Sequence, residues 1–242
     1  MMFTRVLIHE LKNITRDKMY AFLAIYPIVM AVVAYFLIPY LTSLGNPLAS
    51  NIVTVLFILI NGFMFGAVTG FTLLDDQDDK VILSLRITPI NVSYYVFIKL
   101  AVGYVMGILS TILLLVAADF LPNISLISLI YILILAPMSG PIIALFINCF
   151  ATNKVEGFVM MKLSGIILMV PIAALFLTNW TEIFLFIIPG FWPARLISMS
   201  IMPMNFFINS EFLYFILGLI VNLSLGYLIF RLYAKRVGIR ST

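Results

Sequence analysis

The sequence predicts an all-α integral membrane protein with six transmembrane helices, and three observations predict it. Hydrophobic residues make up 64% of the 242 residues and charged residues only 10%, with a mean hydropathy of +1.19. That is more apolar surface than a water-soluble core of this size can bury. The apolar residues fall into runs close to the roughly 20 residues a helix needs to cross the hydrocarbon core. The 14 Lys and Arg residues gather in alternate connections, the pattern that sets orientation in a bilayer.

The chain reads as one membrane domain over residues 1–242. Within residues 1–18, Phe3, Val6, Leu7, Leu11 and Ile14 share one helical face, while Arg5, Glu10, Lys12, Asn13 and Arg16 share the other. This is the pattern of an amphipathic helix lying in the membrane interface. The charges also interrupt any apolar core of a cleavable signal. The first span is expected at about residues 20–41 and the second at about 52–74, joined by a short loop at Gly45, Asn46 and Pro47. A third is expected at about 99–118 and a fourth at about 126–150, the latter kinked or broken by Pro137, Gly140 and Pro141. The fifth falls at about 157–177 and the sixth at about 213–231. Between the last two, an apolar stretch is punctuated by Pro189, Gly190, Pro193 and Pro203. Residues 178–211 are therefore read as short helices dipping into the outer leaflet, with Trp180 and Trp192 as anchors at headgroup depth.

Charge separates six crossings from seven. With six and both termini in the cytoplasm, Arg5, Lys12, Arg16, Lys18, Lys80, Arg86, Lys99, Lys154, Lys162, Arg231, Lys235, Arg236 and Arg240 lie inside, and Arg195 lies outside. A seventh crossing would carry the C-terminal cluster to the outer face. The net charge of +4 is thus a membrane signature, and no nucleic-acid partner is expected. The single cysteine, Cys149, and the single histidine, His9, build neither a disulfide framework nor a metal site.

The most informative connection is residues 75–91. Asp75, Asp76, Asp78 and Asp79 precede a short partly apolar run, Val81 to Ile87, which Pro89 stops. The aspartates are expected as a solvated turn that complements the positive end of the following helix. The short helix is suited to docking on another protein. A divalent-metal site on the four carboxylates lacks the glycine and distal glutamate of a calcium loop, and no metal is assigned. Gly62, Gly66 and Gly70 recur once per turn in the second span and Gly103 and Gly107 in the third, the spacing that lets helix backbones pack closely in lipid. Asn61, Thr69, Ser110, Thr111, Asn148, Ser164, Asn222 and Ser224 are the polar residues inside spans. Most are expected to bridge helices, and Asn61, Thr69 and Asn148 are the candidates for a substrate path. Because none of these is charged, an ion-driven carrier is disfavoured. No phosphate-binding loop, H-E-x-x-H or serine elbow occurs, so the chain reads as non-catalytic.

Taken together, these residues resemble the ABC-2 type permeases, the membrane subunits of bacterial ATP-binding-cassette exporters. The resemblance rests on the amphipathic N-terminal helix ending in Arg16-Asp17-Lys18, the acidic connection leading to Leu85-Arg86-Ile87-Thr88-Pro89, the connection at residues 153–156, and the proline-broken segment before the sixth span. It implies that Val81 to Pro89 is a coupling helix, with Asp75, Asp76, Asp78, Asp79, Val81, Leu85, Arg86, Thr88 and Pro89 facing an ATPase. A Gly-Thr-Leu element common in the family is replaced here by Lys80-Val81-Ile82. The resemblance further implies a second permease chain, identical or similar, and two separate ATPase subunits that hold ATP and Mg. It implies a location in the bacterial inner membrane and export of a hydrophobic or amphipathic, drug-like molecule. Lipid, peptide or polysaccharide export and a self-sufficient carrier or channel are the alternatives.

Overall fold

The structure, a computed structural model, describes residues 18–45, 47–85, 87, 91–202 and 206–238. The interfacial helix expected over residues 1–18 lies outside the described residues, apart from Lys18. Among the described residues the chain is helical with no strand, and six helical segments are long and apolar enough to cross a membrane.

The first span is α1 (Lys18–Ser43) and the second is α2 (Pro47–Asp78). A short α3 (Val81–Leu85) follows, then the third span, α4 (Val92–Ala117). The fourth is broken where its prolines predict: α5 (Leu126–Leu135), a 3-10 turn (Ala136–Met138) and α6 (Ser139–Phe150). The fifth is α7 (Lys154–Met169), continued by a 3-10 turn (Val170–Leu175). A second 3-10 turn (Trp180–Leu185) and α8 (Phe191–Ile201) precede the sixth span, α9 (Glu211–Val237).

Helix starts are set by local chemistry. Asn91, Ser125, Asn153 and Ser210 accept backbone N–H bonds from Ser93, Ser128, Glu156 and Leu213 at the starts of α4, α5, α7 and α9, satisfying donors that have no partner within the helix. Gly238 closes α9 in the left-handed region at φ 69°, where a Cβ is disfavoured.

The long α2 is the hub, touching α1, α4, α6, α7 and α8. Its glycine face is what brings α6 in so closely. A Cβ on Gly66 would lie 2.6 Å from the Gly140 oxygen, and one on Gly62 would lie 2.8 Å from the Ala136 oxygen, so both contacts are backbone against backbone. Gly70 faces Ala144, Gly103 faces Thr69, and Gly107 faces Pro137. The core includes Val55, Ile58, Phe63, Phe71, Ile132 and Trp192. By contrast, α1 and α9 leave Phe22, Ile25, Phe36, Ile220, Leu223 and Tyr227 exposed, the surface a bilayer covers.

The structure corrects the reading of Trp192. It is fully buried among Phe186, Phe191 and Tyr214, and its Nε1 donates to the Phe186 carbonyl at 3.1 Å. It also meets α9 at Gly218, where a Cβ would come within 2.9 Å of the Trp192 Cβ. The missing side chain on α9 makes room for the indole, so the residue packs inward instead of facing headgroups. Trp180 is exposed, as an anchor would be.

Candidate functional site

The acidic connection is shorter than the sequence suggests. The helix of the second span runs past Leu74 to Asp78, and it continues because its first two aspartates have partners inside the bundle. Tyr20 donates to Asp75, and Lys154 Nζ pairs with its other oxygen at 2.9 Å. Asp76 is buried, pairs with Lys99 and accepts from Tyr95 at 3.0 Å, while Lys99 also donates to the Thr72 carbonyl at 3.2 Å. A desolvated carboxylate is tolerable only when paired and hydrogen-bonded in this way. Asp75 and Asp76 thus brace the spans, and only Asp78 and Asp79 are exposed. Among the described residues no group of three or more His, Cys, Asp or Glu could hold a metal ion.

Lys80 turns the chain in the left-handed region, φ 57°, and sets α3 against the ends of the spans. Ile82 is its buried anchor, packed in a cluster with Leu73, Tyr95, Val96, Leu145 and Tyr233. Val81 and Leu85 are half-buried, whereas Leu83 and Ile87 are exposed, Ile87 at 90%. An apolar residue left open at the end of a bundle marks a contact surface more readily than one facing lipid. Beside α3 lies a cavity of about 250 Å³ lined by Gln77, Ile82, Leu83, Thr152, Arg236 and Val237. Arg86, Thr88 and Pro89 lie outside the described residues.

Asn148 ties this end together. Its Nδ2 donates to the Gly70 and Ala144 carbonyls, both at 2.8 Å, its Oδ1 accepts from Gln77 at 2.6 Å, and its carbonyl accepts from Arg236 at 2.9 Å. Asn61 is equally buried, reaching the Ser110 carbonyl at 3.4 Å, and Thr69 is buried against Gly103. All three path candidates therefore sit in helix contacts within one chain.

Two features escape a reading of the sequence. The first is a groove of about 580 Å³ between α4, the broken fourth span and α9, with Phe97, Tyr104, Pro141, Asn222, Tyr227 and Phe230 among its lining residues. Asn222 is a span residue that the sequence offers as a helix bridge, yet among the described residues neither polar atom of its amide has a partner. The second is a charged network at the opposite end. Arg195 and Glu182, both fully buried, form an ion pair. Tyr214 also donates to Glu182, and Arg195 donates to the Leu177 carbonyl while lying over the rings of Phe191 and Phe206. Burial holds the guanidinium pKa below its ordinary value, and the Glu182 charge offsets only part of that lowering. The only signal in the sequence is an acid and a base thirteen residues apart in an otherwise apolar segment.

Comparison with known proteins adds a family. The family model described as "Rv2686c-like: Fluoroquinolones export permease protein Rv2686c-like" matches residues 10–230. Two relatives from Mycobacterium tuberculosis, the fluoroquinolones export permease proteins MT2760 of strain CDC 1551 / Oshkosh and Rv2686c of strain ATCC 25618 / H37Rv, are each 24% identical over 242 residues. Those alignments cover 94% of this chain and 92% of each relative. No solved structure matches.

Proposed function

Because the chain belongs to the Rv2686c-like family of fluoroquinolone export permeases, we propose that it is the membrane subunit of an ATP-driven exporter of fluoroquinolone-like, amphipathic aromatic molecules. It is a multi-pass membrane protein with six candidate spans. Under this reading it lies in the bacterial inner membrane with both termini in the cytoplasm, and residues 178–211 form the outer, re-entrant part. Support comes from the gathering of Lys18, Lys80, Lys99, Lys154, Lys235 and Arg236 at the end that carries α3, whereas Arg195 belongs to the other end.

The observation that carries the coupling step is α3 itself: a helix of five residues anchored by Ile82, presenting Leu83 outward between the ion-paired ends of several spans. A separate ATPase holding ATP and Mg would seat this helix, with Arg86, Thr88 and Pro89 completing the contact. Asp75 and Asp76, on α2, would pass its movement to α7 and α4 through their ion pairs with Lys154 and Lys99, while Asp78 and Asp79 would meet the partner directly. A second permease chain would complete the transport path. The chain has no catalytic part in this scheme.

The test is to express the chain with an ABC ATPase encoded beside it, purify the complex in mild detergent, and measure ATP hydrolysis with and without the permease. Co-purification and stimulated hydrolysis are expected, and Leu83→Asp should abolish both. Flux driven by an ion gradient into liposomes that hold this chain alone would replace the proposal with a self-sufficient carrier.

A further inference from the structure

We infer that the groove between α4, the broken fourth span and α9 binds a planar aromatic molecule bearing a polar head, and that Asn222 pairs with that head. The inference rests on the export reading above and gives it a site. Asn222 is 1% exposed, lines the groove, and among the described residues has no hydrogen-bond partner at either Oδ1 or Nδ2. It stands near the middle of α9 (Glu211–Val237), where water cannot reach it as it would at a helix end. An unpaired amide in apolar surroundings is costly, and a ligand offering an acceptor and a donor side by side, as a keto acid with its carboxyl protonated does, removes that cost. An acyl chain cannot do so, and a phospholipid headgroup does not reach that depth.

The walls suit an aromatic ring system. Phe97, Tyr104, Tyr227 and Phe230 line the groove, and the Tyr104 hydroxyl is already committed to the Ile134 carbonyl at 2.9 Å. Gly226 keeps the groove open, since a Cβ there would meet only Ile142, at 3.8 Å. The volume of about 580 Å³ falls within the range of drug-sized sites, about 300–1,000 Å³. Phe97 and Tyr227 are 64% and 61% exposed at the rim, so the groove opens sideways. A molecule dissolved in the bilayer reaches it without crossing a headgroup layer.

The test uses the full chain in phospholipid nanodiscs without an ATPase, with ciprofloxacin as the probe and its own fluorescence anisotropy as the readout. Saturable binding is expected, weakened about tenfold by Asn222→Leu, the effect of losing roughly one hydrogen-bonded contact, and lost in Gly226→Leu, which fills the space. Asn222→Leu is expected to melt no lower than the unchanged chain, because it deletes an unpaired amide; if it melts lower, Gly226→Leu alone decides. Binding unchanged in the deciding variants overturns the inference, whether the groove then proves to hold a lipid or the Asn222 of a second copy. A chain that fails to bind the probe but lowers its accumulation in cells when expressed with its ATPase overturns the groove and leaves the export reading standing. A chain that does neither removes both.

Discussion

The two ends of the molecule both bury charge, and they use it differently. At the acidic end the bonds run between spans: Tyr20 and Lys154 reach Asp75 on α2, Lys99 reaches Asp76, and Gln77 and Arg236 meet at Asn148. Four helices are thereby tied to the hub, and a short helix rides on the knot. At the opposite end Glu182 and Arg195 join two parts of the segment between spans, and Tyr214 pins that segment to α9. There the charged pair joins the segment to itself and to α9, and among the described residues Arg195 Nε and Nη1 have no hydrogen-bond partner. One end uses its buried charge to tie several spans to one another, whereas the other uses it to hold the segment between the fifth and sixth spans against α9.

Breaking the Glu182–Arg195 pair should cost the most. Arg195→Met leaves the buried Glu182 without its counter-ion, with the Tyr214 hydroxyl still donating to it, a loss of about 3–5 kcal/mol, read as a collapse of the monodisperse fraction after heating in detergent. The double variant Glu182→Met/Arg195→Met should recover most of that fraction. A double variant no better than the single one would show that the pair, beyond avoiding a bare charge, holds the segment against α9.

A smaller loss is expected at the hub. Gly66→Leu drives a side chain into the Gly140 backbone, and forcing α2 and α6 apart should cost about 1–3 kcal/mol, measured by the same heating assay. An unchanged profile would mean that the fourth span can shift freely and that the hub is looser than its contacts imply.

Smaller again is Asp75→Asn. Its partner Lys154 is partly exposed, and pairs of that kind contribute about 0.2–1 kcal/mol. Stability should barely change while the stimulation of a partner ATPase falls; equal stimulation would detach Asp75 from coupling. Asp78→Asn/Asp79→Asn should leave stability within about 0.5 kcal/mol and weaken only partner binding, measured by co-purification.

Much of the fold was legible because span-forming runs report themselves locally. Residues 126–150 match the fourth span as it stands, and its break falls at Pro137 because a proline removes its own backbone donor wherever it is placed. The second span was harder. Asp75 and Asp76 look like a turn in sequence, and they continue a helix because Tyr20, Tyr95, Lys99 and Lys154 arrive from elsewhere in the chain. The candidate site divides the same way: a short helix after the aspartates was readable from its spacing, though it ends at Leu85 and not at Ile87, whereas the state of Asn222 was not, since a residue's lack of partners belongs to its neighbours.

Read alone, the residue order sets how many apolar helices there are, roughly where they lie and where the fourth one breaks, but not their ends: the second span runs on to Asp78 and the third starts at Val92. Hydropathy, helix length and proline are properties of adjacent residues, and they survive without knowledge of any fold. Only the tertiary structure decided which charges are solvated and which are paired, that Trp192 faces the interior, and that an amide is left unmatched beside an apolar groove. Those outcomes depend on which helices meet, and that is settled by backbone contacts such as Gly66 against Gly140 that couple residues far apart in the chain.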